Sequence, residues 1–164
     1  MPGCTRITDA RAGQQVSVAI HVYQLAPLLL GGVIPHELAH ATLAGLVGQQ
    51  ARATLLEEGF AIQFEPPARQ RQYLTILASQ GPPASLQELL RWRGQQRPGP
   101  ELDRFYAAGC AFVRLLLQRG SVDRFLAVCG SDDDVVASLC GEYGWSDAAA
   151  MQHDWQAVLK ALIV

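Results

Sequence analysis

Apolar and polar residues alternate over positions 16–23, Val-Ser-Val-Ala-Ile-His-Val-Tyr. A period of two with β-branched residues on one parity predicts a β-strand. Residues 25–30 are apolar but contain Pro27, and Gly31-Gly32 is expected to break whatever precedes it. The pattern then takes on the spacing of a helix from about Val33 to Val47. Pro35 falls in its first turn, where a missing N–H costs nothing, and Gly48 supplies the stop. A second helix is predicted over residues 53–64, ended by Pro66-Pro67. Helical stretches at 69–79 and 85–92 follow, separated by Gly81-Pro82-Pro83. Residues 94–100 are polar and rich in Pro and Gly, the best internal boundary in the chain. Beyond them a long helix is predicted over 101–119, with Phe105, Phe112, Leu115 and Leu116 on one face. Gly120, Gly130 and Gly141 are expected to punctuate shorter helices, and residues 148–163 form the last. No internal repeat is visible. The expected architecture is α+β, mostly helical: a small N-terminal strand element, a pair of helices and a C-terminal helical half, all in a single domain spanning residues 1–164.

A chain of 164 residues can bury a real core. With 49% hydrophobic and 17% charged residues it reads as globular rather than disordered. A net charge of −2 argues against a broad nucleic-acid surface, and Arg69, Arg71, Arg91, Arg93 and Arg97 read as a solvated stretch. The most apolar segment, residues 16–34, is interrupted by His21, Gln24 and Pro27, so no membrane span is expected. No succession of basic, apolar and small residues opens the chain. It reads as cytoplasmic as it stands, or as secreted or cell-envelope had a leader been removed. Cys4, Cys110, Cys129 and Cys140 form no C-x-x-C pair, which argues against a zinc ribbon or a redox dithiol; pairing of Cys129 with Cys140 is left open.

Chemistry enters with His36-Glu37-Leu38-Ala39-His40. Two histidines four residues apart on a helix lie on one face, a turn apart. Both imidazoles can then reach one ion at about 2.0–2.1 Å. Glu37, beside the first, projects close enough to take a proton from a water activated there. A catalytic zinc needs a third protein ligand and an open fourth position. Glu58 is the candidate, on the next predicted helix, which a turn at Gly48-Gln49-Gln50 folds back onto the first. Glu57 and Glu65 compete, but Glu57 is rotated about 100° away on the same helix, and Glu65 lies at its frayed end. The bland alternative is a solvated helix face with an incidental histidine pair. Against it, Val33, Ile34, Leu38, Ala39, Ala41, Leu43 and Ala44 make the surroundings apolar. Imidazoles partly buried beside a carboxylate need partners, and a cation supplies them.

Around Glu58 the chain reads Leu55-Leu56-Glu57-Glu58-Gly59-Phe60-Ala61. Together with the histidine helix this resembles the gluzincin metallopeptidases, whose second motif is typically Trp-Leu-x-Glu-Gly-x-Ala; Leu55 stands for the Trp, and the Glu-Gly-x-Ala core is intact. Tyr106-Ala107-Ala108-Gly109 looks like the Tyr-x-x-Gly helix of the same clan, and Asp154-Trp155 like the acidic-Trp helix that ends its compact peptidase MA-like domains. The resemblance covers about residues 34–162. It implies a zincin-like active-site helix pair. His36, His40 and Glu58 would be the ligands of one zinc ion, Glu37 the general base, and Tyr106 a donor to the oxyanion. It also implies that strand 16–23 is an edge strand able to pair with extended substrate.

Three departures bear on that reading. Ile62, one turn after Glu58, stands where relatives often carry an acid that orients a ligand histidine, so either that partner comes from elsewhere, such as a backbone carbonyl, or metal affinity is weaker. Pro35 directly before His36 is unusual and is expected to fix the helix start close to the site. The segment before the motif is short for a full protease. The expected function is a zinc-dependent peptidase acting on a peptide or protein substrate, with a non-catalytic zinc-binding domain used for binding or scaffolding as the alternative. His21 is expected to face solvent or the sheet edge, and His153 to lie on the surface.

Overall fold

Proline and glycine set many of the helix ends in the computed structural model, which describes residues 3–8, 17–22, 29–48, 53–92 and 99–162, with side chains described from residue 31 onward in those ranges. Helix α1 (Ile34–Val47) carries Pro35 in its first turn and stops at Gly48, whose φ of 80° lies in the region that favours glycine. Helix α2 (Thr54–Ile62) unwinds through a tight turn. There the amides of Gln63, Phe64 and Glu65 donate to the carbonyls of Phe60, Ala61 and Ile62. Pro66-Pro67 then starts α3 (Pro67–Gln80). A reciprocal pair of bonds between Ser85 and Glu88 opens α4 (Leu86–Arg91). The long α5 (Pro100–Arg119) follows, then α6 (Val122–Gly130), α7 (Val135–Tyr143) and α8 (Ala148–Ala161). Ser121, Asp134 and Asp147 cap these last three through their side chains. The fold is mostly helical. Most of the boundary expected over 94–100 lies outside the described residues.

Two expectations about glycine fail. Gly31-Gly32 does not break the chain; Leu29–Val33 is a π-helical turn running straight into α1, with Val33 already helical at φ −68° and ψ −46°. Pro35 explains the winding, because in a regular α-turn its ring would press on the carbonyl of Gly31. A wider turn relieves that contact, and the regular α-helix begins at Ile34, beside Pro35 as expected. Gly141 sits inside α7, which ends instead at Gly144 with φ 73°.

Strands β1 (Gly3–Thr8) and β2 (Ser17–Val22) pair antiparallel, Gly3 opposite Val22 and Thr8 opposite Ser17. Their side chains, His21 included, lie outside the described residues, as do the parity and edge role expected of residues 16–23.

The spine of the core is α5, which packs against α2, α3, α6 and α8. Its Phe105, Phe112 and Leu116 are buried, and Trp155 of α8 meets Phe112 edge-on at 5.7 Å between ring centroids. Two glycines set the approach of α2 to α5. A Cβ on Gly59 would fall 2.3 Å from the Gly109 carbonyl oxygen, and one on Gly109 would fall 2.9 Å from that of Leu55. The two backbones touch, so the residue before Gly59, Glu58, rides on a helix that cannot slide along its neighbour. Among the described residues Cys110, Cys129 and Cys140 form no disulfide, and no helix is long and apolar enough to cross a membrane.

Candidate metal centre

The four-residue spacing of α1 sends the imidazoles of His36 and His40 to the same side, and α2 brings a carboxylate to meet them. His36 Nε2 lies 3.2 Å from His40 Nε2. Glu58 Oε2 lies 3.4 Å from the first and 3.7 Å from the second. Ligands held at about 2.0–2.1 Å around a tetrahedral zinc stand about 3.3–3.4 Å from one another. The three measured separations bracket that edge, so one ion fits between these atoms with its fourth direction unused by them. All three side chains are partly buried, with 16–19% of each exposed. His36, His40 and Glu58 are the group of potential ligand residues that converges in this way among the described residues.

The electrostatics of the triad without an ion follow from the same distances. Burial alone would strip the proton from His36, but the hydrogen bonds and charges of Glu58 and Glu65 outweigh it and lift His36 to about 9. Burial would likewise raise Glu58, yet hydrogen bonding to His36 and His40 overcomes it and holds the carboxyl down at about 2. At neutral pH the pair is an imidazolium and a carboxylate, and a divalent ion would have to displace the proton to bind there.

Glu37 follows His36 on α1 and is 7% exposed; among the described residues it is the one charged side chain that is fully buried. Leu38, expected in the apolar surroundings, points out instead and is half exposed, while Ala39, Leu43 and Ala44 are buried. Glu57 is half-buried and takes no part in the triad, as its rotation on α2 requires. Tyr106 lies half-buried on α5, its ring edge-on to Tyr73 at 6.4 Å and to Phe105 at 6.1 Å.

Comparison of the chain with protein-family models, with curated proteins and with solved structures found no match.

The residue that sequence reasoning undervalued is Glu65. It does not compete for the ion: its Oε1 accepts from Nδ1 of His36 at 2.8 Å, on the side of the ring away from Glu58 and His40. A signal for it existed. Glu58 and Glu65 are seven residues apart, two helical turns, and so fall on nearly the same face. Ile62 is fully buried and belongs to the core. His153 is exposed on α8. Its neighbours serve packing: Asp154 accepts from Trp145 Nε1 at 2.9 Å and from Arg119, and Trp155 fills the core.

Proposed function

We propose that the chain is a zinc-dependent metallopeptidase of the gluzincin type, with His36, His40 and Glu58 holding one zinc ion and Glu37 as general base. One observation carries the reading: two imidazole nitrogens and a carboxylate oxygen stand at the mutual distances of ligands around one ion, with a buried carboxyl on the residue after His36. A zinc ion held there supplies Lewis acidity, which polarises a scissile carbonyl and acidifies water. Glu37 takes the proton from the attacking water and delivers it to the leaving amine. Tyr106, in this reading, donates its hydroxyl to the oxyanion that develops as the carbonyl is attacked. The substrate is a peptide or protein.

The test has two parts. Protein purified without added metal is assayed for zinc by mass spectrometry and titrated with it, and one ion per chain is expected. A quenched-peptide library is then digested with and without chelator, and chelator-sensitive cleavage is expected. Stoichiometric zinc with no cleavage leaves the second reading, a zinc-bound domain used for binding. No zinc taken up at all would end both.

A further inference from the structure

We infer that Glu65 is a positioning residue for the metal centre, fixing the tautomer and ring plane of His36; this deepens the zinc reading above and rests on it. The imidazole has two nitrogens pointing to opposite sides, and the site uses both. Nε2 gathers with His40 Nε2 and Glu58 Oε2, whereas Nδ1 lies 2.8 Å from Glu65 Oε1. A proton held on Nδ1 by that carboxylate leaves the Nε2 lone pair free for an ion, and the bond stops the ring from turning about its χ2 axis. Glu65 cannot itself share the ion, because the whole ring stands between its carboxylate and the point of convergence.

Glu65 is built for the task rather than adventitious. Only 9% of its side chain is exposed, and its second oxygen faces Arg69 Nε at 3.6 Å. Its backbone is pinned as well: Gln70 Nε2 donates to the carbonyls of Glu65 at 2.8 Å and Gln63 at 3.0 Å. Arg114 of α5 in turn donates to Gln70 Oε1 at 2.6 Å. Gln63 completes the tie, donating from its own side chain to the carbonyls of Gly59 and Cys110. The turn that follows α2 is thus fastened to α3 and α5, and the carboxylate it carries reaches back to α1. The position one turn after Glu58, where an orienting acid would sit on a continuous helix, is held by Ile62 in the core. The turn places Glu65 where that acid is needed.

The test is zinc affinity, measured by competition with a fluorescent chelator on the full chain, for the wild type, Glu65→Ala, Glu65→Gln and Arg69→Met. Loss of a partner behind a ligand histidine weakens metal binding by about 10–100-fold, and that is expected for Glu65→Ala. Glu65→Gln should recover most of it, since its carboxamide oxygen still accepts from Nδ1–H, and Arg69→Met should show a smaller loss. The Nδ1–H proton resonance of His36 in the zinc-loaded protein gives an independent readout: sharp and protected from exchange with water in the wild type, broadened by that exchange in Glu65→Ala. Wild-type zinc binding with Glu65→Ala within about 2-fold of it overturns the inference and leaves the zinc reading standing. If Glu65→Ala does not fold, Glu65→Leu, which fills the same space but cannot accept from Nδ1–H, takes its place: weaker zinc binding with a broadened His36 signal supports the inference, and wild-type affinity with a sharp signal overturns it. A wild type that takes up no zinc sinks the reading itself.

Discussion

On the proposed mechanism, Glu37 is the group whose removal should separate zinc binding from hydrolysis. Glu37→Gln keeps the volume of the side chain but cannot accept a proton from water, so zinc content should stay at that of the wild type while kcat falls about 10²–10⁴-fold. Zinc assay by mass spectrometry beside initial rates checks both halves, and undiminished turnover removes Glu37 from the mechanism. Tyr106→Phe probes the other proposed group. If the hydroxyl meets the oxyanion, its loss costs about 3 kcal/mol, about 100-fold in kcat with KM little changed. An unaltered kcat would leave Tyr106 as one more ring packed on Tyr73 and Phe105. At this scale the sequence was informative where function and periodicity coincide. His36 and His40 are legible because four residues is a helical turn, and Glu58 because it alone of the nearby acids on α2 points the same way. Glu65 is legible only as a spacing of seven from Glu58; its role depends on how a turn of i→i−3 bonds swings the chain after Ile62, which the spacing does not carry.

Helix positions depend on where backbones meet, and here α2 and α5 meet at Gly59 and Gly109. A methyl group on Gly59 would strike a carbonyl oxygen, which no rotamer change can move aside. Gly59→Ala should therefore destabilise the fold by about 3 kcal/mol or more, at the top of the range for overpacking, and loosen zinc as Glu58 is displaced. Gly141→Ala is the contrasting case, inside α7 with open space where its Cβ would go. It should stabilise the protein by up to about 1 kcal/mol, the helix preference of alanine over glycine. Urea unfolding midpoints of the two variants beside the wild type check both signs; a Gly59→Ala protein as stable as the wild type would mean the two helices are free to part. The same contrast shows why glycine was misread from the sequence. Gly48 and Gly59 do different work, one terminating a helix and one admitting a neighbour, and nothing in the local pattern distinguishes them. Gly31-Gly32 looked like a break because the pattern carries no sign that Pro35 turns the preceding residues into a π-turn.

For the whole molecule, the triad makes stability depend on pH in a way that bound zinc would cancel between about pH 6.5 and 9. His36 is held at about 9 in the folded chain against 6.5 for an ordinary histidine. The folded state therefore keeps a proton that the unfolded chain releases, and the stability this brings is complete below pH 6.5 and lost as pH rises to about 9. Glu58 is held at about 2 against 4.5, so its contribution is complete above pH 4.5 and lost as pH falls to about 2. The two describe one ion pair and are counted once, with an upper bound of about 3 kcal/mol. Metal-stripped protein should thus be most stable, as far as this pair decides, between pH 4.5 and 6.5, and its urea midpoint should decline from pH 6.5 to 9. Bound zinc would flatten the upper limb, since neither the zinc form nor the unfolded chain holds that proton above about pH 6.5. Below pH 9 the ion has to displace the proton on His36, so its apparent affinity rises with pH across the same interval, and the stabilisation from a fixed free zinc concentration rises with it. Calorimetric titration near pH 7.5 in two buffers of different ionisation enthalpy should accordingly register about one proton released per zinc bound. Parallel urea curves with and without zinc, separated by the same amount at pH 6.5 and pH 9, would mean that the ion binds without contesting that proton, and so somewhere other than His36.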